Sequence, residues 1–471
     1  MTQERLPRQI RNAGNRLAVF GWAIDARLAL AGGLPALDRR ARLRQQAIAH
    51  WARVASPFYR ELYRGLPPRI ERFSDLPPVT KPQLMARFDD WVTDPAVTLA
   101  DLRSWLGDLS GIGSLYRGKY LVYTTSGTTG EPAVLVQDRA ALSLYLASRV
   151  RMYPVIMDRA VLARVIRGHG RMAALLATGG HYGGVVMAEW ARRLHPLGRN
   201  LKLFSVAAPL GETVAGLNRL QPVVVSGYAS ALTLLAEEAA AGRLAIDPAL
   251  VFSIAEGLTL ESRKQIGAVW DARLVEGYGA SEAAVIAFGC REGNLHQNVD
   301  WVALEPVDER YRPVPVGTPS HTALVTNLAN RVQPIVRYDL GDSVTVDPQP
   351  CPCGSPLPVI RVEGRSGDVL KLAGPGGGTV RVLPLAIGSV AEEVAGVRRV
   401  QIIQLGPAAL TVRIEAETGA NRGSVAMAVQ RRLEDFLARQ GLANVAVAAS
   451  HDPPRQERSG KFRLVYRQTT P

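Results

Sequence analysis

The sequence predicts an α/β protein, with a large N-terminal body of mixed, largely parallel sheets and helices, followed by a small C-terminal α+β domain. Three observations carry this. At 471 residues the chain exceeds what one compact core usually holds. Between about residues 120 and 345, β-rich runs alternate with helical runs, the signature of α/β layers. From 369 to 471 a separate β-α-β rhythm occupies a length typical of one domain.

Taken in order, residues 1–65 read as amphipathic helices rich in Ala, Leu and Arg that cap the body and end near Ser56-Pro57-Phe58-Tyr59. Leu76 to Lys81 runs Leu-Pro-Pro-Val-Thr-Lys, which is extended because proline disfavours helix in the residue before it, and helix resumes at Pro82. Tyr120 to Thr125 and Pro222 to Val225 read as strands, Asp138 to Arg151 and Ala231 to Ala241 as helices. Leu328 to Val344 is strand-like, and a Gly-rich hinge follows near Gly364. In the last section Arg399 to Leu405, Leu410 to Ile414 and Val445 to Ala449 are strands around a helix from Arg422 to Gln440.

Composition narrows the function classes. Hydrophobic residues at 47% and charged residues at 21% describe a globular chain rather than a disordered or fibrous one. The formal charge of +14 comes mostly from arginines scattered along the chain, with lysine confined to positions 81, 119, 202, 264, 371 and 461. No basic run or recognition motif points to nucleic acid, whereas an acidic partner such as a nucleotide or a carrier protein suits the charge. Leu17 to Ile24 is the most apolar stretch but is interrupted at Asp25 and Arg27, so no membrane span is expected. The basic lead and short apolar patch lack a cleavage site, and three cysteines are too few for a disulfide framework, so a reducing, cytoplasmic setting is expected.

The most informative stretch is Tyr123-Thr124-Thr125-Ser126-Gly127-Thr128-Thr129-Gly130-Glu131-Pro132. Adjacent hydroxyls and two glycines make a loop whose N–H and O–H groups can converge on phosphate oxygens with little bulk between them. By itself such a loop also suits a surface turn. The Gly-x-x-x-x-Gly-Lys spacing is absent, which excludes a Walker A loop.

The decapeptide resembles the phosphate-binding signature of the acyl-adenylate-forming superfamily, and four further motifs of that superfamily follow in order. Glu276-Gly277-Tyr278-Gly279-Ala280-Ser281-Glu282 resembles its aromatic-Gly-x-Ser/Thr-Glu motif, and Arg337-Tyr338-Asp339-Leu340-Gly341-Asp342 its Tyr-x-x-Gly-Asp motif. Gly364-Arg365-Ser366-Gly367-Asp368 resembles its hinge, and Arg458-Ser459-Gly460-Lys461 its catalytic-lysine motif. Leu76 to Lys81, the Gly227-Tyr228-Ala229-Ser230 turn and Cys351-Pro352-Cys353-Gly354 resemble the phenylacetate-CoA ligase-like branch.

The resemblance implies an AMP-forming acid–thiol ligase. A carboxylate, here aromatic or arylacetic, attacks the α-phosphate of ATP, expels pyrophosphate and leaves an acyl-adenylate, which the thiol of CoA then attacks. Such displacement needs in-line positioning and charge neutralisation. By the family pattern Thr125, Ser126, Gly127, Thr128, Thr129 and Gly130 hold phosphate, and Glu282 binds Mg²⁺, a hard cation suited to carboxylate oxygen. Tyr278, with Gly279 and Ser281, lies against adenine; Asp342 accepts from the ribose hydroxyls; Arg365 assists near ribose and phosphate. Lys461 bridges the substrate carboxylate and the α-phosphate. The body then covers residues 1–365 and the small, mobile lid residues 366–471, pivoting at Asp368. Two departures stand out: Glu131 occupies a place where many relatives carry lysine, and Gly367-Asp368 replaces the usual Asp-Asp.

Cys290, His296, Cys351 and Cys353 make a Cys₃His set suited to a closed, structural zinc site, with three buried thiols as the alternative. His181, Tyr182 and Tyr228 are candidates for the acyl pocket, although His181 also suits a core position. The sequence leaves other acceptors open: an acyl carrier protein, or an amine or alcohol giving amide or ester. A nucleotide-binding scaffold without turnover is the non-enzyme alternative. Whether the chain is a monomer or a homodimer is also left open.

Overall fold

The computed structural model describes residues 21–68, 70, 72–125, 132–194, 196–206, 208–365, 368–374, 378–382, 384–455 and 462–468. Its centre is a nine-stranded mixed sheet. Leu201–Ser205, Met172–Leu176, Val224–Gly227, Leu250–Ile254 and Arg273–Tyr278 lie side by side and parallel. Helices Gly183–Leu194, Leu210–Leu220, Ala229–Ala240 and Leu260–Val269 make the crossovers, as parallel pairing requires. Beyond Arg273–Tyr278 the pairing turns antiparallel through Ala287–Gly289, Leu295–Gln297, Val359–Arg365 and Asp342–Val346. The inner strands Met172–Leu176, Val224–Gly227 and Leu250–Ile254 are mostly apolar because both faces are covered; Val225 and Val251 are fully buried.

Two three-stranded sheets flank this one. Leu115–Tyr116, Tyr120–Thr124 and Val134–Gln137 form the first; Val302–Val307, Thr322–Asn327 and Tyr338–Asp339 form the second. Helices Gly33–Ala55 and Pro57–Leu62 pack beside them, the second capped by the Ser56 side chain, which accepts from the Tyr59 N–H. The extended Leu76–Thr80 run makes a parallel bridge between Val79 and Tyr338. Helix Lys81–Ala86 then starts with Thr80 and Gln83 as a capping box.

Leu328–Val344 is not one strand. Strand pairing is confined to Tyr338–Asp339 and to Asp342–Val346. The preceding segment docks through side-chain amides. Gln333 accepts from Val136 N at 2.8 Å and donates to Val134 O at 3.1 Å, while Asn330 donates to Val136 O at 2.8 Å. Those amides occupy the hydrogen-bonding edge of Val134–Gln137 that a strand backbone would otherwise take.

The C-terminal section has its own core, in which Leu370, Ile387, Val400, Val412, Val429 and Leu433 are all buried. Its four-stranded sheet runs Ala446–Ser450, Ala409–Ala416, Val397–Gly406, Val465–Arg467, against helices Pro384–Glu392 and Arg422–Arg439. A hairpin of Leu370–Ala373 and Thr379–Val382 leads into it. Gly364, with φ +113° and Pro384 Cγ 3.1 Å from where a Cβ would stand, requires glycine both for its backbone and for the close approach. Among the described residues no helix is long and apolar enough to cross a membrane.

Candidate functional site

Pairwise contacts along one line join the described residues of the first four motifs and reach Arg463, just past the fifth. Thr125 closes the phosphate-loop stem: its N–H donates to Ala133 O at 3.0 Å, and its Oγ1 accepts from Ala133 N at 2.9 Å. Tyr123, two residues earlier, donates its phenolic proton to Ser281 O at 2.8 Å and so ties the first motif to the second. Gly279 lies so close to Ala284 O that an added Cβ would stand 2.2 Å from it, which fixes glycine there. Tyr278 ends its strand and donates to Asp342 Oδ2 at 2.8 Å, joining the second motif to the third. Asp342 stands opposite Arg365 in antiparallel register, reaching the fourth. Asp368, buried beyond the hinge, forms an ion pair with Arg463, two residues past Lys461. Ser126, Gly127, Thr128, Thr129, Gly130, Glu131, Gly367 and Lys461 lie outside the described residues.

Glu282 is buried and faces the same small cavity as Lys81, Tyr338 and Trp91; its carbonyl accepts from Asn327 Nδ2 at 3.0 Å. Arg337, fully buried with φ +49°, holds the start of the third motif by pairing with Glu305 at 3.1 Å and donating to Ser74 O and Leu76 O. Burial pushes the Glu305 carboxyl up, and the Arg337 guanidinium opposes that rise.

His181 and Tyr182 flank the phosphate-loop stem: Thr124 N donates to His181 O at 2.7 Å, and Thr124 bridges Tyr182. Tyr182 and Tyr228 share one apolar cluster with Leu176 and Ile254, and Tyr228 Oη accepts from Ala177 N at 3.2 Å. The His181 ring sits apart from them, 4.9 Å from Trp105, with Nε2 donating to Asp108 O at 3.0 Å. Its buried Nδ1 has no partner among the described residues.

Cys290, His296, Cys351 and Cys353 converge, with all four donor atoms within 4.8 Å of one another. Cys290 Sγ and Cys351 Sγ are 3.7 Å apart, far from a disulfide bond of about 2 Å and near the edge, about 3.8 Å, of a tetrahedron of thiolates around zinc. His296 donates Nδ1–H to Leu357 O at 2.9 Å, because a carbonyl only accepts, and this leaves the Nε2 lone pair facing Cys353 Sγ at 3.2 Å. Burial holds His296 below its usual range, in the neutral form that a metal takes. Asn294 Nδ2 donates to Cys351 Sγ at 3.2 Å and Ser355 N to Cys353 Sγ at 3.4 Å, donors that suit thiolates. The residues fit a metal ion.

Sequence reasoning passed over Glu256. Its carboxylate accepts from Ser230 N at 2.9 Å and from Phe462 N at 2.8 Å, linking the body to the residue after Lys461. A lone glutamate after a strand carries no local signal. The positive φ of Ala255, +64°, that turns it inward is visible only in the fold.

No family model matches the chain, and no curated protein matches it by sequence. By structure it is similar to 2-hydroxyisobutyryl-CoA ligase in the postadenylation state with 2-HIB-AMP, at 19% identity and TM-score 0.65 over 93% of this chain and 91% of that one. Against the same ligase in the thioesterification state, with 2-HIB-AMP and CoA, the TM-score is 0.51 at 19% identity over 92% and 90%. The anthranilate CoA ligase AuaEII in complex with anthranoyl-AMP gives 0.52 at 15% identity over 73% and 64%. These neighbours are CoA ligases, and the chain has their mixed α/β fold with a C-terminal domain.

Proposed function

We propose that the protein activates a carboxylic acid with ATP to an acyl-adenylate and transfers the acyl group to the thiol of CoA, as a phenylacetate-CoA ligase-like enzyme. The observation that carries this reading is the line of contacts Tyr123–Ser281, Tyr278–Asp342 and Asp368–Arg463, which ties distant motifs to one another and to the segment that follows Lys461. In this reading Ser126, Thr128 and Thr129 hold the β- and γ-phosphates, and Glu282 holds Mg²⁺, which would neutralise phosphate charge. Tyr278 lies along adenine, Asp342 accepts from the ribose hydroxyls and Arg365 assists there. Lys461 stabilises the charge developing between carboxylate and α-phosphate. Residues 1–365 form the adenylating body, and residues 366–471 a lid turning at Asp368.

An aromatic or arylacetic acid follows from the branch resemblance, and the packing of Tyr182 with Tyr228 supports an aromatic wall. Cys290, His296, Cys351 and Cys353 would hold a zinc ion that crosslinks the Ala287–Gln297 hairpin to the loop before Val359–Arg365, the strand leading to the hinge.

The test is pyrophosphate release with ATP, Mg²⁺ and a panel of aromatic and aliphatic acids, with and without CoA, for wild type and Lys461→Ala. Acid-dependent release that collapses in the variant, with a CoA thioester formed by wild type, is the expected result. Release independent of acid, or unaffected by Lys461→Ala, overturns the reading.

A further inference from the structure

The structure assigns to Glu256 the role of a positioning residue that holds the Phe462 main chain, next in sequence to Lys461, against the body for adenylation, an inference that rests on the function proposed above. Leu250–Ile254 ends in the middle of the nine-stranded sheet, and Ala255 turns the chain through a left-handed conformation so that Glu256 points along the sheet edge. One carboxylate oxygen takes Ser230 N, at the start of helix Ala229–Ala240, at 2.9 Å. The other takes Phe462 N at 2.8 Å. Phe462 directly follows Lys461, so the carboxylate fixes the main chain one peptide away from the ammonium that the reaction needs.

The bond is directional and charge-assisted, which makes it both strong and exacting in geometry. Two flanking contacts hold the same interface. Arg398 of the C-terminal section pairs with Glu237 of helix Ala229–Ala240 at 2.8 Å, and helix Pro384–Glu392 packs on helix Leu260–Val269. Beyond Phe462 the loop is held inside the C-terminal section, with Ile402 N donating to Leu464 O at 2.8 Å and Gln401 Nε2 donating to Arg463 O at 3.0 Å. Phe462 is thus held from both sides, by the body through Glu256 and by the C-terminal section through the residues that follow it. The higher similarity to a ligase in its postadenylation state than in its thioesterification state accords with this seating. Rotation of the lid for acyl transfer must break the Glu256–Phe462 bond, so the contact serves one half-reaction and not the other.

The test separates the halves. Acid-dependent pyrophosphate exchange reads adenylation, and thioester formation from supplied acyl-adenylate and CoA reads transfer. Glu256→Ala is expected to slow adenylation by about ten- to a hundredfold while transfer stays within about threefold; Glu256→Gln, which keeps one acceptor oxygen, falls between. In parallel, hydrogen–deuterium exchange of the peptide containing Phe462 is expected to quicken by about tenfold or more in Glu256→Ala. This arm needs no acid. Equal loss of both halves overturns the assignment in favour of a folding defect, undiminished adenylation overturns the positioning role, and unchanged amide exchange overturns the contact itself. Failure of wild type to show any acid-dependent release counts against the adenylation reading alone, and the amide exchange then decides whether Glu256 holds the loop.

Discussion

Tyr278→Phe removes one hydroxyl from the proposed nucleotide site and leaves the ring in place. In the structure that hydroxyl donates to Asp342 Oδ2 at 2.8 Å, across 64 residues of sequence. An ionised carboxylate has about four lone-pair sites, so Asp342 can keep the tyrosine on one oxygen while accepting from two ribose hydroxyls. Hydrogen bonds to charged groups contribute about 1.5–3 kcal/mol. The tyrosine orients Asp342 and does not touch the ribose through this oxygen, so the lower end applies, and about 1.5 kcal/mol is about a tenfold change in affinity. Ribose is bound alike in the ground and transition states, so the loss falls on uniform binding. The expected result is a KM for ATP about tenfold higher with kcat within about twofold, read from initial rates of acid-dependent pyrophosphate release at varied ATP. A kcat that falls with KM unchanged would refute the ribose-orienting role, and so would a variant indistinguishable from wild type.

Three further outcomes follow from buried groups. Asp300, fully buried, binds Arg151 at 2.6 Å and also faces Arg44 at 3.3 Å, so Asp300→Ala leaves the Arg151 guanidinium stranded; a loss of about 3–5 kcal/mol is expected in urea unfolding followed by tryptophan fluorescence. Cys351→Ser is expected to lower bound zinc from about one ion per chain to well below half, by elemental analysis, and to lower Tm, whereas inert thiols would leave both unchanged. Burial, opposed by the Thr259 side chain and reinforced by Glu261, pushes the Glu392 carboxyl up to about 7, so in the proposed lid motion the docked C-terminal section keeps a proton that the released one gives up near 4.5. Seating therefore weakens as pH rises from about 4.5 to 7 and is level above that, and Glu392→Gln should flatten the trend in amide exchange at the interface between helices Pro384–Glu392 and Leu260–Val269.

What the sequence made legible, and what it hid, divides along the range of the interactions involved. Helix Arg139–Ile156 begins where expected because Asp138 caps it, accepting from Ala141 N, and helix Arg422–Arg439 because Asn421 does the same for Ser424 N; both signals lie within four residues. Strand Ala409–Ala416 was legible from alternating apolar residues, Leu410, Val412 and Ile414, and strand Val397–Gly406 from its β-branched residues Val400, Ile402 and Ile403, the two being joined by a short turn. The antiparallel half of the main sheet was not, since Ala287–Gly289 and Leu295–Gln297 are three residues each, too short to show a period. Leu328–Val336 looked like a strand because Leu328, Val332, Ile335 and Val336 are indeed buried, but Asn330 and Gln333 supply the hydrogen bonds that a strand backbone would make. At the site, the motifs displayed residue types whose chemistry is local. Their assembly depends on Tyr123 reaching Ser281 and on Glu256 reaching Phe462, contacts across 158 and 206 positions that no window of sequence contains. Glutamate is ordinary on a protein surface; what gives Glu256 a task is that two backbone N–H groups, Ser230 of the body and Phe462 of the C-terminal section, converge on it, and only the completed topology brings them there.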